Sequence, residues 1–238
     1  MKTVSQLKIK IFADGADKAG ILEMLNKPFI SGFTTNPTLM NKAGIRDYRA
    51  FAQDILKEIK GYPISFEVFA DDFENMERQA LEIASWGQNV YVKIPVMNTK
   101  SQPAYDLIKR LTEKGVKLNV TAVMTIEQTQ KIVDALKGTT GAIVSIFAGR
   151  VADTGRDPVP HMKSAMEIVT KVPKVELLWA SPRELLNIFQ ADEIGCHIIT
   201  VTNDILRKLD IVGKDLTEYS LDTVKMFFED ATKAGFSL

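Results

Sequence analysis

Short apolar, β-branched runs alternate with longer amphipathic stretches from one end of the chain to the other. That is the pattern of βα units wound around a parallel sheet. The strand candidates are Ile9–Ala13, Phe29–Phe33, Ile64–Phe69, Val90–Ile94, Leu118–Val123, Ile143–Phe147, Val175–Ala180 and His197–Val201. Eight such runs suit a closed (β/α)8 barrel. Between them, Phe73–Trp86, Gln102–Lys114, Ile126–Leu136, Pro160–Val169 and Pro182–Ala191 carry apolar residues at helical spacing. Thr125 and Gln128 form a capping box, Ser181-Pro182 places proline in a first helical turn, and Gly115 and Gly195 sit where helices should end.

No linker interrupts the pattern, so residues 1–238 read as one α/β domain, a single TIM barrel with an additional C-terminal helix. That helix is expected over Ser220–Ala234, where Leu221, Val224, Phe227, Phe228 and Ala231 form an apolar stripe. Two destinations are open for the stripe: it covers its own barrel, or it docks on a neighbouring subunit.

Side chains alternate between the two faces of a strand, so the phase of the polar residues is informative. In Val90-Tyr91-Val92-Lys93-Ile94 the valines and Ile94 share the phase that packs under helices, which leaves Tyr91 and Lys93 facing the barrel interior. Ser65 and Glu67, Asn119 and Thr121, and Phe12 and Asp14 stand apart from their apolar neighbours in the same way. The polar members cluster near strand C-terminal ends, where barrels build their active sites. Asp14, Asn36, Glu67, Lys93, Asn119 and Thr121 should therefore converge on one pocket.

A lysine in an apolar strand is costly to bury charged, and desolvation favours its neutral amine. A neutral amine adds to a ketone and forms a Schiff base, an electron sink for cleaving a neighbouring carbon–carbon bond. The alternative for Lys93 is an internal ion pair with Glu67 or Asp14. The two carboxylates carry a matching ambiguity, as proton-transfer groups or as lysine counter-ions. Arg150, Ser181 and Arg183 follow the sixth and seventh strand candidates, where barrels commonly hold phosphate. Guanidinium forks and the backbone donors of a helix starting after Ser181 suit such an anion.

Composition narrows the picture. Thirty Lys+Arg balance thirty Asp+Glu, without a long run of either sign. Nothing advertises a nucleic-acid track or an anionic membrane surface. The opening MKTVSQLKIKIF lacks a signal-peptide core, and no apolar stretch approaches the roughly 18 residues of a membrane span. The expected location is the cytoplasm. Cys196 is the only cysteine and reads as a buried small hydrophobe; His161 and His197 lie far apart without metal-binding spacing. No metal is expected.

The motifs Phe12-Ala13-Asp14, Gly32-Phe33-Thr34-Thr35-Asn36-Pro37, Phe66-Glu67-Val68, Val92-Lys93-Ile94-Pro95, Leu118-Asn119-Val120-Thr121, Ser145-Ile146-Phe147-Ala148-Gly149-Arg150 and Ala180-Ser181-Pro182-Arg183 stand in an order and spacing that resemble the transaldolase family. The likeness spans nearly the whole chain and is to the short-chain group that includes fructose-6-phosphate aldolase. It implies that Lys93 attacks the C2 ketone of fructose 6-phosphate or sedoheptulose 7-phosphate, and that Asp14 takes the C4 hydroxyl proton. It implies that Glu67 shuttles protons through a water held by Thr121, and that Asn36, Asn119 and Ser145 contact the dihydroxyacetone part, with Thr34 and Phe147 beside them. Arg150, Ser181 and Arg183 match the family's phosphate positions.

The resemblance further implies a cofactor-free transferase acting on sugar phosphates, with erythrose 4-phosphate or glyceraldehyde 3-phosphate as acceptor. It also implies a homo-oligomer, pentamer or decamer, in which the C-terminal helix reaches a neighbour. Fructose-6-phosphate aldolase carries glutamine in place of Glu67 and tyrosine in place of Phe147, and both differences favour transfer over release of dihydroxyacetone. The run Ala122-Val123-Met124-Thr125 departs from the family's usual leucine-x-phenylalanine-serine. A true aldolase and a barrel that only binds sugar phosphates are the competing readings.

Overall fold

Alternation with period two gives each strand one apolar face for the helices and one face for the interior, and the chain uses both. The computed structural model describes residues 2–236. Its strands are β1 (Lys10–Asp14), β2 (Ile30–Thr34), β3 (Ile64–Glu67), β4 (Val90–Pro95), β5 (Leu118–Val123), β6 (Ala142–Ile146), β7 (Val175–Trp179) and β8 (Ile198–Thr202). They are parallel and close in sequence order into a barrel, with β8 pairing back onto β1. The fold is a TIM barrel with a C-terminal helix, as the alternation predicts.

The buried residues fall into two cores. Outward-facing Ile11, Phe66, Val92, Ile94, Val120 and Leu177 pack beneath the helices. Inside the ring, Phe12, Ile143, Leu178, Ala180 and Ile198 form a separate cluster, with Tyr91 and Phe147 against it. Gly32 makes this interior plug fit: a Cβ there would stand 2.6 Å from the Phe12 ring.

Local signals set most of the helix ends. The capping box at Thr125 forms as expected, with the Gln128 N–H on Thr125 Oγ1 at 3.1 Å and the Thr125 N–H on Gln128 Oε1 at 3.0 Å. Gly115 (φ +75°) and Gly195 (φ +74°) close their helices in the left-handed region.

The Pro182 expectation is corrected. The helix there spans Leu186–Glu193, and Pro182 lies in an irregular turn that comes after Ser181 at φ +61°. Asn187 Oδ1 accepts the N–H groups of Arg183 (2.7 Å) and Glu184 (3.1 Å), so these backbone donors are occupied rather than free for an anion.

The last helix spans Leu216–Ala234, four residues earlier at its start than its apolar stripe suggests. Asp215 caps it, accepting from the Thr217 and Glu218 N–H groups at 2.8 and 3.0 Å. None of its residues is buried, and Phe228 is 73% exposed. Within the single chain the stripe does not cover the barrel. No helix among the described residues is long and apolar enough to cross a membrane.

Candidate active site

Strand register assembles the pocket. Glu67 is paired with Lys93 and Lys93 with Asn119 across β3, β4 and β5, while Asp14 stands between Thr34 and Thr202 on the other side of the ring. These side chains face a cavity of about 510 Å³ at the C-terminal mouth of the barrel. Every site candidate named from the sequence lines this one cavity.

Lys93 is 6% exposed. Its Nζ donates to the Thr35 carbonyl at 2.8 Å and pairs with Glu67 Oε2 at 3.2 Å. Of the two ion-pair partners considered, Glu67 is the one in contact. Asp14 serves a different neighbourhood: its Oδ1 accepts from Thr34 Oγ1 at 2.8 Å and its Oδ2 from Asn36 Nδ2 at 3.2 Å. The Asp14 carboxyl is only partly shielded from solvent contact but ringed by protein atoms. Burial pushes it above the usual carboxylate range, against the opposing pull of the Lys93 charge and the Thr34 and Asn36 hydrogen bonds.

Asn36 owes its position to its place before a helix. Its Oδ1 caps Pro37–Lys42 by accepting the Leu39 N–H at 2.9 Å, with Pro37 at the first helical position. The amide NH2 is thereby turned toward Asp14. Asn119 is equally constrained: it is fully buried, accepts from Ser145 Oγ at 2.6 Å and donates to Ser65 Oγ at 2.9 Å. Both asparagines thus have oriented amides with partners of their own.

Thr121 differs. Its buried hydroxyl has no hydrogen-bond partner among the described residues, and it lines the cavity. Immediately after it β5 bulges, with the register slipping between Val120 and Val123 and Ala122 held at φ +61°. A left-handed alanine costs roughly 1–2 kcal/mol. The bulge brings Ala122 and Met124, from the run that departs from the family pattern, onto the cavity wall.

At the rim, Gly149 and Ser181 meet closely; a Cβ on Gly149 would fall 1.5 Å from the Ser181 carbonyl oxygen. This contact joins the ends of β6 and β7. Arg150 lies over the Phe147 ring, 5.4 Å from its centroid. Arg183 is engaged twice by Asp153, Nε donating at 2.8 Å and Nη2 forming the second bond, while Nη1 lies 3.3 Å from Ser181 Oγ. That ion pair holds the Asp153 carboxyl below the usual range.

Several residues in and around the site are not among the candidates named from the sequence. Thr200 and Thr202 share the inward phase of β8, so extending the phase argument to that strand would have found them; Thr200 hydrogen-bonds Thr34. Asp153 and Tyr48, which hold lining residues in place, gave no such signal, since neither lies on a strand. Cys196 is buried, as expected, and burial pushes its thiol up to about 12.

A family model described as transaldolase/fructose-6-phosphate aldolase matches residues 11–238. A protein named "Probable transaldolase" from Thermoanaerobacter sp. is 34% identical over 231 residues, 97% of this chain and 100% of that one. Another of that name from Dehalococcoides mccartyi is 34% identical over 202 residues, covering 84% and 90%. Among solved structures, 3-hexulose-6-phosphate synthase from Salmonella typhimurium superposes with a TM-score of 0.60 at 11% identity, covering 84% of this chain and 91% of that one. At that identity the likeness speaks for the fold alone.

Proposed function

The chain belongs to the transaldolase/fructose-6-phosphate aldolase family, and on that premise we propose that it transfers a dihydroxyacetone unit between sugar phosphates through an imine on Lys93. The observation that carries the proposal is a buried amine at the floor of a polar cavity, with one carboxylate in contact and a second across the ring that burial has made more basic.

In this reading the free amine of Lys93 adds to the C2 carbonyl of a ketose phosphate such as fructose 6-phosphate or sedoheptulose 7-phosphate. Glu67, acting through a water on the Thr121 hydroxyl, delivers the proton with which the carbinolamine oxygen leaves as water. The resulting iminium draws the electrons of the C3–C4 bond as Asp14 takes the C4 hydroxyl proton. An aldose phosphate departs, and a three-carbon enamine stays on Lys93. A second aldose phosphate then accepts the enamine carbon at its aldehyde as Asp14 returns its proton to the aldehyde oxygen, and hydrolysis of the new iminium frees the lysine. A carboxyl that burial has made more basic is suited to the proton-accepting role.

Asn119 and Ser145 would contact the dihydroxyacetone hydroxyls, and Asn36 would orient Asp14 beside them. Arg150, Ser181 and Arg183 would hold the distal phosphate. Phe147 places an apolar ring on the cavity wall where the aldolase has a tyrosine, which favours transfer over protonation of the enamine. Borohydride reduction with fructose 6-phosphate, followed by peptide mass analysis, tests the central claim: an adduct is expected on Lys93, and an adduct on another lysine refutes it. Release of glyceraldehyde 3-phosphate should depend on erythrose 4-phosphate. An equal steady rate without that acceptor would instead assign the chain as an aldolase.

The exposed stripe on Leu216–Ala234 supports a homo-oligomer in which this helix packs on a second copy. Phe228→Asp should lower the assembly mass in light scattering, and an unchanged mass would reject this arrangement.

A further inference from the structure

The hydrogen-bond ladder between β2 and β3 breaks where it would compete for the partner of Lys93. In a parallel pair, one residue bridges two alternate residues of the adjacent strand. Thr35, just past β2, makes the first of these bonds, its N–H donating to the Ser65 carbonyl at 3.2 Å. The next rung would join the Glu67 N–H to the Thr35 carbonyl. That carbonyl instead accepts Lys93 Nζ at 2.8 Å, and the Glu67 N–H donates to Tyr48 Oη at 2.7 Å.

Tyr48 is built for this substitution. It opens the helix Tyr48–Glu58, capped by Asp47, and reaches across the outside of β3. Its ring is held edge-on by Phe66 and Phe69, with centroids 6.0 and 4.4 Å away, and by Trp86 at 5.8 Å. The hydroxyl also donates to the Glu67 carbonyl at 3.2 Å. One phenol thus satisfies both backbone polar groups of Glu67, the residue whose carboxylate touches the amine.

We propose that Tyr48 is a positioning residue for Lys93: by taking up the Glu67 amide it leaves the Thr35 carbonyl free to hold the amine. The physical reason is competition. A buried N–H does not stay unpaired, so without the phenol the Glu67 amide turns back to the regular rung and shares the Thr35 carbonyl, which weakens and re-aims that oxygen's hold on Lys93 Nζ. The inference rests on the Schiff-base reading of Lys93.

Tyr48→Phe keeps the ring and removes only the hydroxyl. With fructose 6-phosphate as substrate, kcat and the single-turnover rate of the borohydride-trapped Lys93 adduct should fall on the order of tenfold per folded chain. KM should stay within about twofold, because no substrate contact is lost. Trp86→Leu thins the packing around the same ring but leaves the hydroxyl, so it should lower the melting temperature with the adduct rate unchanged. Far-UV circular dichroism, which reads the backbone, gives the folded fraction for both variants.

An adduct forming in Tyr48→Phe at the parental rate overturns the inference while the Schiff-base reading stands. Equal slowing by Trp86→Leu overturns it too, since packing alone would then explain the effect. No adduct in the parent protein would reject the Schiff-base reading itself.

Discussion

Toward the closed end of the barrel the interior is filled by Phe12, Ile143 and Ile198, with Leu178 beside them; two residues further on, the strands of the first three carry Asp14, Ser145 and Thr200. The two layers are separated by only two residues along each strand, yet they answer to different physics. The lower one gains from excluded water and close packing. The upper one holds polar groups whose desolvation is offset by mutual hydrogen bonds, and Asp14 retains an unfavourable balance. Stability and chemistry should therefore separate by layer, and substitutions can break or sharpen that separation.

The largest effect is expected at Lys93. Lys93→Arg puts a permanent charge beside Glu67 and cannot form an imine, so ketose turnover should drop by about 10⁴-fold or more while the fold survives. A steady-state assay with thermal denaturation checks both parts.

Asp14→Asn should reduce kcat by roughly 10²–10⁴-fold, and its stability should move the other way. Because burial raises the Asp14 pKa, the folded chain binds this proton more tightly than the unfolded chain does. The ionised carboxyl consequently subtracts stability above its folded pKa. The asparagine variant should melt above the parent at pH 7, with the gain shrinking as pH falls through the folded pKa toward that of an ordinary aspartate. A melting series across pH that shows no such convergence would contradict this account.

In the lower layer the signs reverse. Leu178→Ala should cost about 2–5 kcal/mol by denaturant titration, with turnover per folded chain largely kept. Gly32→Ala forces a methyl against the Phe12 ring and should cost about 1–3 kcal/mol. The smallest change is expected at the rim. The Arg183–Asp153 pair is about half exposed on both sides, so Asp153→Asn should leave the melting temperature nearly unchanged. Its readout is KM for the phosphorylated substrate, with kcat unchanged.

The barrel was legible because alternation is a local property: Val92, Lys93 and Ile94 declare their faces without reference to any other strand. For the same reason the inward polar residues could be named, and Thr200 was overlooked only because the phase argument stopped short of β8. The turn after Ser181 was not legible. Ser-Pro reads as a helix start, but the side chain of Asn187, in the first turn of the actual helix, captures the amides of Arg183 and Glu184.

The chain by itself determined which side chains face the pocket, since strand period and the placement of Asp14, Glu67, Lys93 and Asn119 are written residue by residue. Only the tertiary structure decided how those groups divide their partners. Glu67 rather than Asp14 contacts the amine, Arg183 is held by Asp153, and Tyr48 frees the Thr35 carbonyl. Those choices depend on register and on helices crossing from other parts of the chain, and hydrogen bonds between distant segments leave no period to read.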